Sequence, residues 1–304
     1  MPQKRRHPLL LLMFLVTFAL GGALGALLVT ALIIVANYGF DGAAIITDPN
    51  ILNDHITLVK AIQILSSIGM FVLPPLLLAR LESKRWVSYL KLHKPTMKLV
   101  VLTALIMLVS LPLIEYLALL NEKMHLPEGL KALENWMRNK ESEAQTAVNK
   151  FLVMDGLDDL SINLLMLALI PALGEELFFR GCMQPIFSRW TKNKQVGIWL
   201  TAIIFSAIHV QFFGFVPRML LGALFGYLLL WSNKLWLPIL AHFINNATLV
   251  ITTYIYQRKG FSIDQINQLE KEGTWPMVYL FSFVALVMLM YHFYKQTSSR
   301  HQLM

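Results

Sequence analysis

The run from Leu9 to Val35 carries no ionisable side chain. It is about 27 residues long, and a bilayer core of ~30 Å needs about 20 helical residues to cross it. Inside hydrocarbon every backbone N–H and C=O must be satisfied within the segment, which leaves helix as the form for such a run. Composition extends the point to the rest of the chain. Of 304 residues, 56% are hydrophobic and 14% charged, against about 25% charged in a soluble domain. The charges that remain cluster between further apolar runs.

Eight spans are predicted, at about 9–36, 56–79, 99–120, 159–188, 195–213, 216–232, 235–256 and 275–294. The fourth is too long for a straight crossing and should tilt or extend. Lys4, Arg5 and Arg6 precede the first span. That span is far longer than the usual signal-peptide core and reads as a retained helix. The fold class expected is all-α: a polytopic membrane helix bundle of about eight transmembrane helices, plus an extracytoplasmic amphipathic helix. The last is read from Leu126, Leu130, Leu133 and Met137, which recur at helical spacing between charged residues.

Basic residues set the expected orientation. Arg80, Lys84, Arg85, Lys91, Lys94 and Lys98 fill the second loop, and Arg189, Lys192 and Lys194 the bend after the fourth span. Lys295 and Arg300 follow the last, while the first loop, Gly39 to Asp54, has three aspartates and no lysine or arginine. This pattern predicts both termini in the cytoplasm. It also absorbs the net charge of +8, so no nucleic-acid partner is implied. The single cysteine, Cys182, excludes an internal disulfide and a cysteine zinc cage.

Chemistry concentrates in residues 159–256. The chain reads as one membrane domain in three stretches: 1–158 with the first spans and outer helix, 159–256 as the polar core, and 257–304 with the last span and tail. Glu175, Glu176 and Arg180 lie inside the fourth apolar span. Each such charge costs about 2.5–3.5 kcal/mol at the bilayer centre. Glu176 and Arg180 are four apart and share a helix face; Glu175 is rotated by about 100°. The pair can hold itself while Glu175 stays available. Pairing that merely fixes helix packing is the alternative.

His209 lies in the fifth predicted span. Measured from the basic bend, Glu175 and His209 fall at similar depth, ~25 Å at 1.5 Å per residue. His242 and Asn246, in the seventh, are four apart and share a face. They suit a developing oxyanion, or a hydrogen bond to a neighbouring helix. His242 lies close to Lys234 in sequence, so it should sit at a shallower depth than Glu175 unless the seventh helix starts deeper or tilts.

The ordered set Glu-Glu-x-x-x-Arg (Glu175, Glu176, Arg180), Phe-x-x-x-His (Phe205, His209) and His-x-x-x-Asn (His242, Asn246) resembles the CAAX prenyl endopeptidase and bacteriocin-processing (CPBP) family of membrane peptidases, over roughly residues 159–250. The resemblance implies hydrolysis of a peptide bond in a membrane-associated or prenylated peptide or protein. Glu175 and His209 would activate water. His242 and Asn246 would position substrate or stabilise the oxyanion, and Glu176 and Arg180 would shape the site. No cofactor is certain; zinc is conditional, on Glu175, His209 and His242. The setting implied is a multi-pass protein of a bacterial inner membrane, with membrane lipid as its surroundings and no oligomeric state indicated. Two rivals stand beside it: a non-catalytic scaffold or partner-binding protein that retains the motifs, and an ion-coupled transporter. Arg218, near the start of the sixth span, reads as an interfacial anchor or a group for a substrate carboxylate.

Overall fold

A computed structural model describes residues 6–39, 55–272 and 275–301, with side chains of 270–272 and 299–301 left aside. Most of the acidic first loop lies outside the described residues. The chain is a helix bundle of α1 (Pro8–Tyr38), α2 (Ile56–Glu82), α3 (Trp86–Tyr89), α4 (Met97–Glu122), α5 (Lys131–Leu152), α6 (Leu157–Trp190), α7 (Lys194–Ala207), α8 (Phe215–Ser232), α9 (Trp236–Arg258), α10 (Ile263–Glu272) and α11 (Pro276–His301).

Every predicted span contains a helix, yet the count of eight is not reached by length and composition. Among the described residues six helices are long and apolar enough to cross a membrane: α1, α2, α4, α6, α8 and α11. The fifth predicted span is the main departure. α7 has 14 residues, about 21 Å of helix against a core of ~30 Å. It ends because Val210 adopts a left-handed conformation, φ 53°, and the chain turns straight into α8. α9 has 23 residues, but polar His242, Asn245 and Asn246 lower its hydropathy.

The basic segments do gather at one end. Arg6 pairs with Glu82 at 2.6 Å, and Arg189 donates to the Arg6 carbonyl. The Leu235 N–H bonds the Lys91 carbonyl at 3.0 Å. Trp231, at the end of α8, meets Tyr294 of α11, ring centroids 5.4 Å apart. The start of α1 and the end of α11 therefore share that end of the bundle. Leu90 and Leu235 are fully buried there. The segment around α3 thus caps the bundle, and α9 starts beneath it. This closes the depth gap for His242 noted in the sequence.

At the other end α5 forms the expected amphipathic helix, and it buries a carboxylate besides. Leu130 and Leu133 are exposed, while Glu134 is buried. Glu134 draws in His125 and Arg138, each at 2.9 Å, the Leu126 N–H at 3.2 Å and Lys131 at 3.4 Å. Four donors outweigh the cost of burying one carboxylate.

Small residues let the helices close on the site. A methyl group added at Gly22 of α1 would collide with the carbonyl of Gly69 in α2, so these two helices touch backbone to backbone. Three wide, π-type turns interrupt the long helices: Ile68–Val72 in α2, and Leu164–Leu169 and Glu176–Met183 in α6. Such turns occur frequently at functional sites. The last contains Glu176 and Arg180.

Candidate active site

α6 brings both carboxylates into the bundle and gives them different partners. The Arg180 guanidinium donates to Glu176 Oε1 at 2.7 Å and to the Gly222 carbonyl at 3.0 Å. Glu176 and Arg180 are fully buried. Arg180 also lies over the rings of Phe205 and Phe225, 4.6 and 5.4 Å from their centroids. One turn on, Gln184 Nε2 donates to the Gly226 carbonyl at 3.2 Å. These two rungs join α6 to α8, and glycine makes them reachable. A Cβ at Gly222 would stand 3.1 Å from the guanidinium, and one at Gly226 3.0 Å from Gln184 Oε1. The motifs do not point to Gln184, Gly222 or Gly226; the Gly-x-x-x-Gly spacing of the two glycines was the available signal.

His242 joins both glutamates. Its Nδ1 lies 2.9 Å from Glu176 Oε1, and its Nε2 lies 3.9 Å from Glu175 Oε2. A carboxylate oxygen accepts, so Nδ1 is the protonated nitrogen and Nε2 faces Glu175. The ring stacks on Phe225, centroids 5.4 Å apart, and meets Phe205 edge-on at 6.0 Å. Two aromatic walls fix its plane.

His209 sits just past the end of α7, not within a helix as the spans predicted. Its Nδ1 donates to the Phe205 carbonyl at 2.7 Å, which leaves Nε2 as an acceptor. Val210 comes next, in the left-handed region, a genuine outlier for a β-branched residue. Among the described residues no hydrogen bond or ion pair joins Glu175 to His209. Their equal depth did not produce direct contact; His242 is the partner Glu175 meets.

Asn246, one turn after His242, is held at both ends of its carboxamide. Nδ2 donates to the Leu167 carbonyl at 3.0 Å, and Oδ1 accepts from Asn245 at 3.0 Å. Leu167 lies in the first wide turn of α6. The second N–H of Asn246 Nδ2 is left to donate elsewhere.

The turn carrying His209 is braced from outside. Asn121 Nδ2 donates to the carbonyls of Phe212 and Phe213. Glu141 of α5 accepts the Phe213 N–H at 3.2 Å, and Arg138 lies over the Phe213 ring at 4.4 Å. Arg218 donates to Gln211 Oε1 at 2.7 Å. The bracing residues Asn121, Glu141 and Gln211 carry no motif, and nothing in the sequence marks them.

Among the described residues no three of His, Cys, Asp and Glu converge at metal-binding spacing. Both imidazoles donate Nδ1–H, His209 to a backbone carbonyl and His242 to Glu176, which leaves each Nε2 as the nitrogen that could ligate. Glu175, His209 and His242 are not gathered around one point in this structure.

Residues 158–248 match the family described as type II CAAX prenyl endopeptidase Rce1-like. Over 89 residues the chain is 29% identical to the uncharacterized protein YpbD of Bacillus subtilis (strain 168), a match over 28% of this chain and 42% of that protein. The chain thus spans under half the length of that relative. No solved structure matches it. The matched stretch takes in all seven motif residues, so the segment that builds this site is the part of the chain that matches the Rce1-like CAAX prenyl endopeptidase family.

Proposed function

We propose that the chain is a membrane-embedded endopeptidase in which Glu175 is the base, acting on a membrane-associated peptide or protein. One observation carries this reading. Of two adjacent carboxylates, Glu176 is held by Arg180 and His242, whereas Glu175 faces His242 Nε2 across 3.9 Å. A gap of that size between two polar groups suits a bridging water.

In the proposed reaction the water oxygen attacks the peptide carbonyl carbon while its proton passes to Glu175. The carbonyl oxygen becomes an oxyanion, met by the remaining N–H of Asn246. Glu175 then returns the proton to the amide nitrogen as the C–N bond breaks. His242, fixed by Glu176 and Phe225, orients the water. His209 Nε2 is a second acceptor, on the turn after α7. Glu176 and Arg180 shape the site. The matched family's description favours a substrate near a prenylated terminus, and the basic loops favour a multi-pass protein of a bacterial inner membrane with both termini cytoplasmic.

The test compares wild type with Glu175→Ala in membranes that lack the protein. Membrane peptides and released products are profiled by mass spectrometry. Products that vanish in the variant support the endopeptidase. Identical profiles with a normally folded variant point to a non-catalytic scaffold.

A further inference from the structure

At the basic end, away from Glu175, the bundle carries an open pocket of about 310 Å³. Lys91, from the capping segment, and Lys194, at the first turn of α7, both line it. So do Ser188 near the end of α6 and Asn233 after α8, with Gln184 at its buried side. Four separate stretches of chain therefore meet around one hollow.

The charges in it are unbalanced. Neither ammonium has a carboxylate within ion-pair distance among the described residues. Burial, and then the neighbouring Lys194, hold the Lys91 ammonium below its ordinary pKa. Lys91 is half-buried and Lys194 is exposed at the mouth; two like charges that share one pocket repel, and an anion between them removes that repulsion. The backbone is set for this arrangement. Lys91 and Asn233 are both left-handed, φ 57° and 54°, and the Lys91 carbonyl is tied to the Leu235 N–H at 3.0 Å. The conformation that turns Lys91 toward the pocket is thus fixed by a bond to the start of α9. Ser188 and Asn233 add uncharged donors.

We propose that this pocket binds a phosphate group through Lys91 and Lys194, with Ser188 and Asn233 as neutral donors. Lysine ammonium groups bind phosphate as point charges. The basic end is the level at which anionic headgroups lie when such loops face the cytoplasm. A phospholipid headgroup and free phosphate share this chemistry, and the experiment separates them.

The full chain is purified in neutral detergent. Native mass spectrometry counts phosphatidylglycerol against phosphatidylcholine retained, and calorimetry measures binding of inorganic phosphate. Wild type, Lys91→Gln, Lys194→Gln and the double variant are compared, with Lys94→Gln as a reference in the same loop. Each single variant should weaken binding about tenfold, and Lys94→Gln should leave it unchanged. Preference for phosphatidylglycerol alone identifies a lipid headgroup; saturable phosphate binding alone identifies the free anion. Either supports the site. Equal binding by wild type and both single variants in both arms overturns it. Removing one of two like charges should leave each single variant folded, which near-ultraviolet circular dichroism verifies.

Discussion

Arg180 spans two helices: its guanidinium holds Glu176 on its own helix at 2.7 Å and the Gly222 carbonyl on α8 at 3.0 Å. Removing it strands a fully buried carboxylate. Such a loss costs about 3–5 kcal/mol. Arg180→Met should therefore lower the thermal midpoint sharply or prevent recovery of monodisperse protein. Gly222→Ala, whose methyl would press on the guanidinium, should cost about 1–3 kcal/mol. Thermal unfolding in detergent measures both. An unchanged midpoint in Arg180→Met would mean that the bridge does not hold the helices.

The two glutamates should separate by phenotype. Glu175→Gln keeps the shape and removes the base, so cleavage should fall about 10²–10⁴-fold with the thermal midpoint unchanged. Glu176→Gln weakens the bonds to Arg180 and His242, so stability should fall together with activity. Equal loss of stability in the two variants would remove the distinction between base and scaffold.

Acid should release α5. Its buried Glu134 is held at about 2 by hydrogen bonds from His125 and Arg138, helped by the Leu126 N–H and Lys131, with burial opposing them. An unfolded glutamate titrates near 4.3. A carboxyl whose folded value is depressed contributes stability above its unfolded value and loses it as pH falls toward the folded one. Hydrogen exchange in Lys131–Leu152 should thus quicken, relative to the bundle, as pH drops from about 5 toward 2. Glu134→Gln should show the quick exchange already at neutral pH and lose that dependence.

Val210 offers a test at the His209 turn. A left-handed conformation costs an ordinary residue about 1–2 kcal/mol. Val210→Gly should raise stability by about 1 kcal/mol. It should also loosen the turn that aims His209, so kcat should fall while KM holds. A variant that is no more stable would show that the turn is not strained.

Much of the fold was legible in the sequence because membrane helices announce themselves by composition. The Glu176–Arg180 pair is evident from i,i+4 spacing alone. Contacts between helices were less legible. Depth counting matched Glu175 with His209, but the structure sets Glu175 against His242, because α9 begins beneath the segment that buries Leu90 and Leu235. Gln184 was silent because its role depends on a carbonyl that Gly226 exposes on another helix. Around α5 the apolar period at Leu126, Leu130, Leu133 and Met137 marked an amphipathic helix but gave no sign of a buried carboxylate. Glu134 is buried because donors from a neighbouring loop and its own helix converge on it.

The wide turn at Glu176–Met183 has a consequence for how this segment tolerates change in length. A helix with one residue too many in a turn carries every later side chain about 100° further round than a regular helix would. Deleting one residue from the turn would restore regular winding and rotate the residues on its N-terminal side against those on its C-terminal side. Gln184 and the last turns of α6 could keep their grip on α8, but the glutamates would then face other neighbours. Point substitutions here test individual bonds, whereas a single-codon deletion would dismantle the site while leaving a helix of almost the same length.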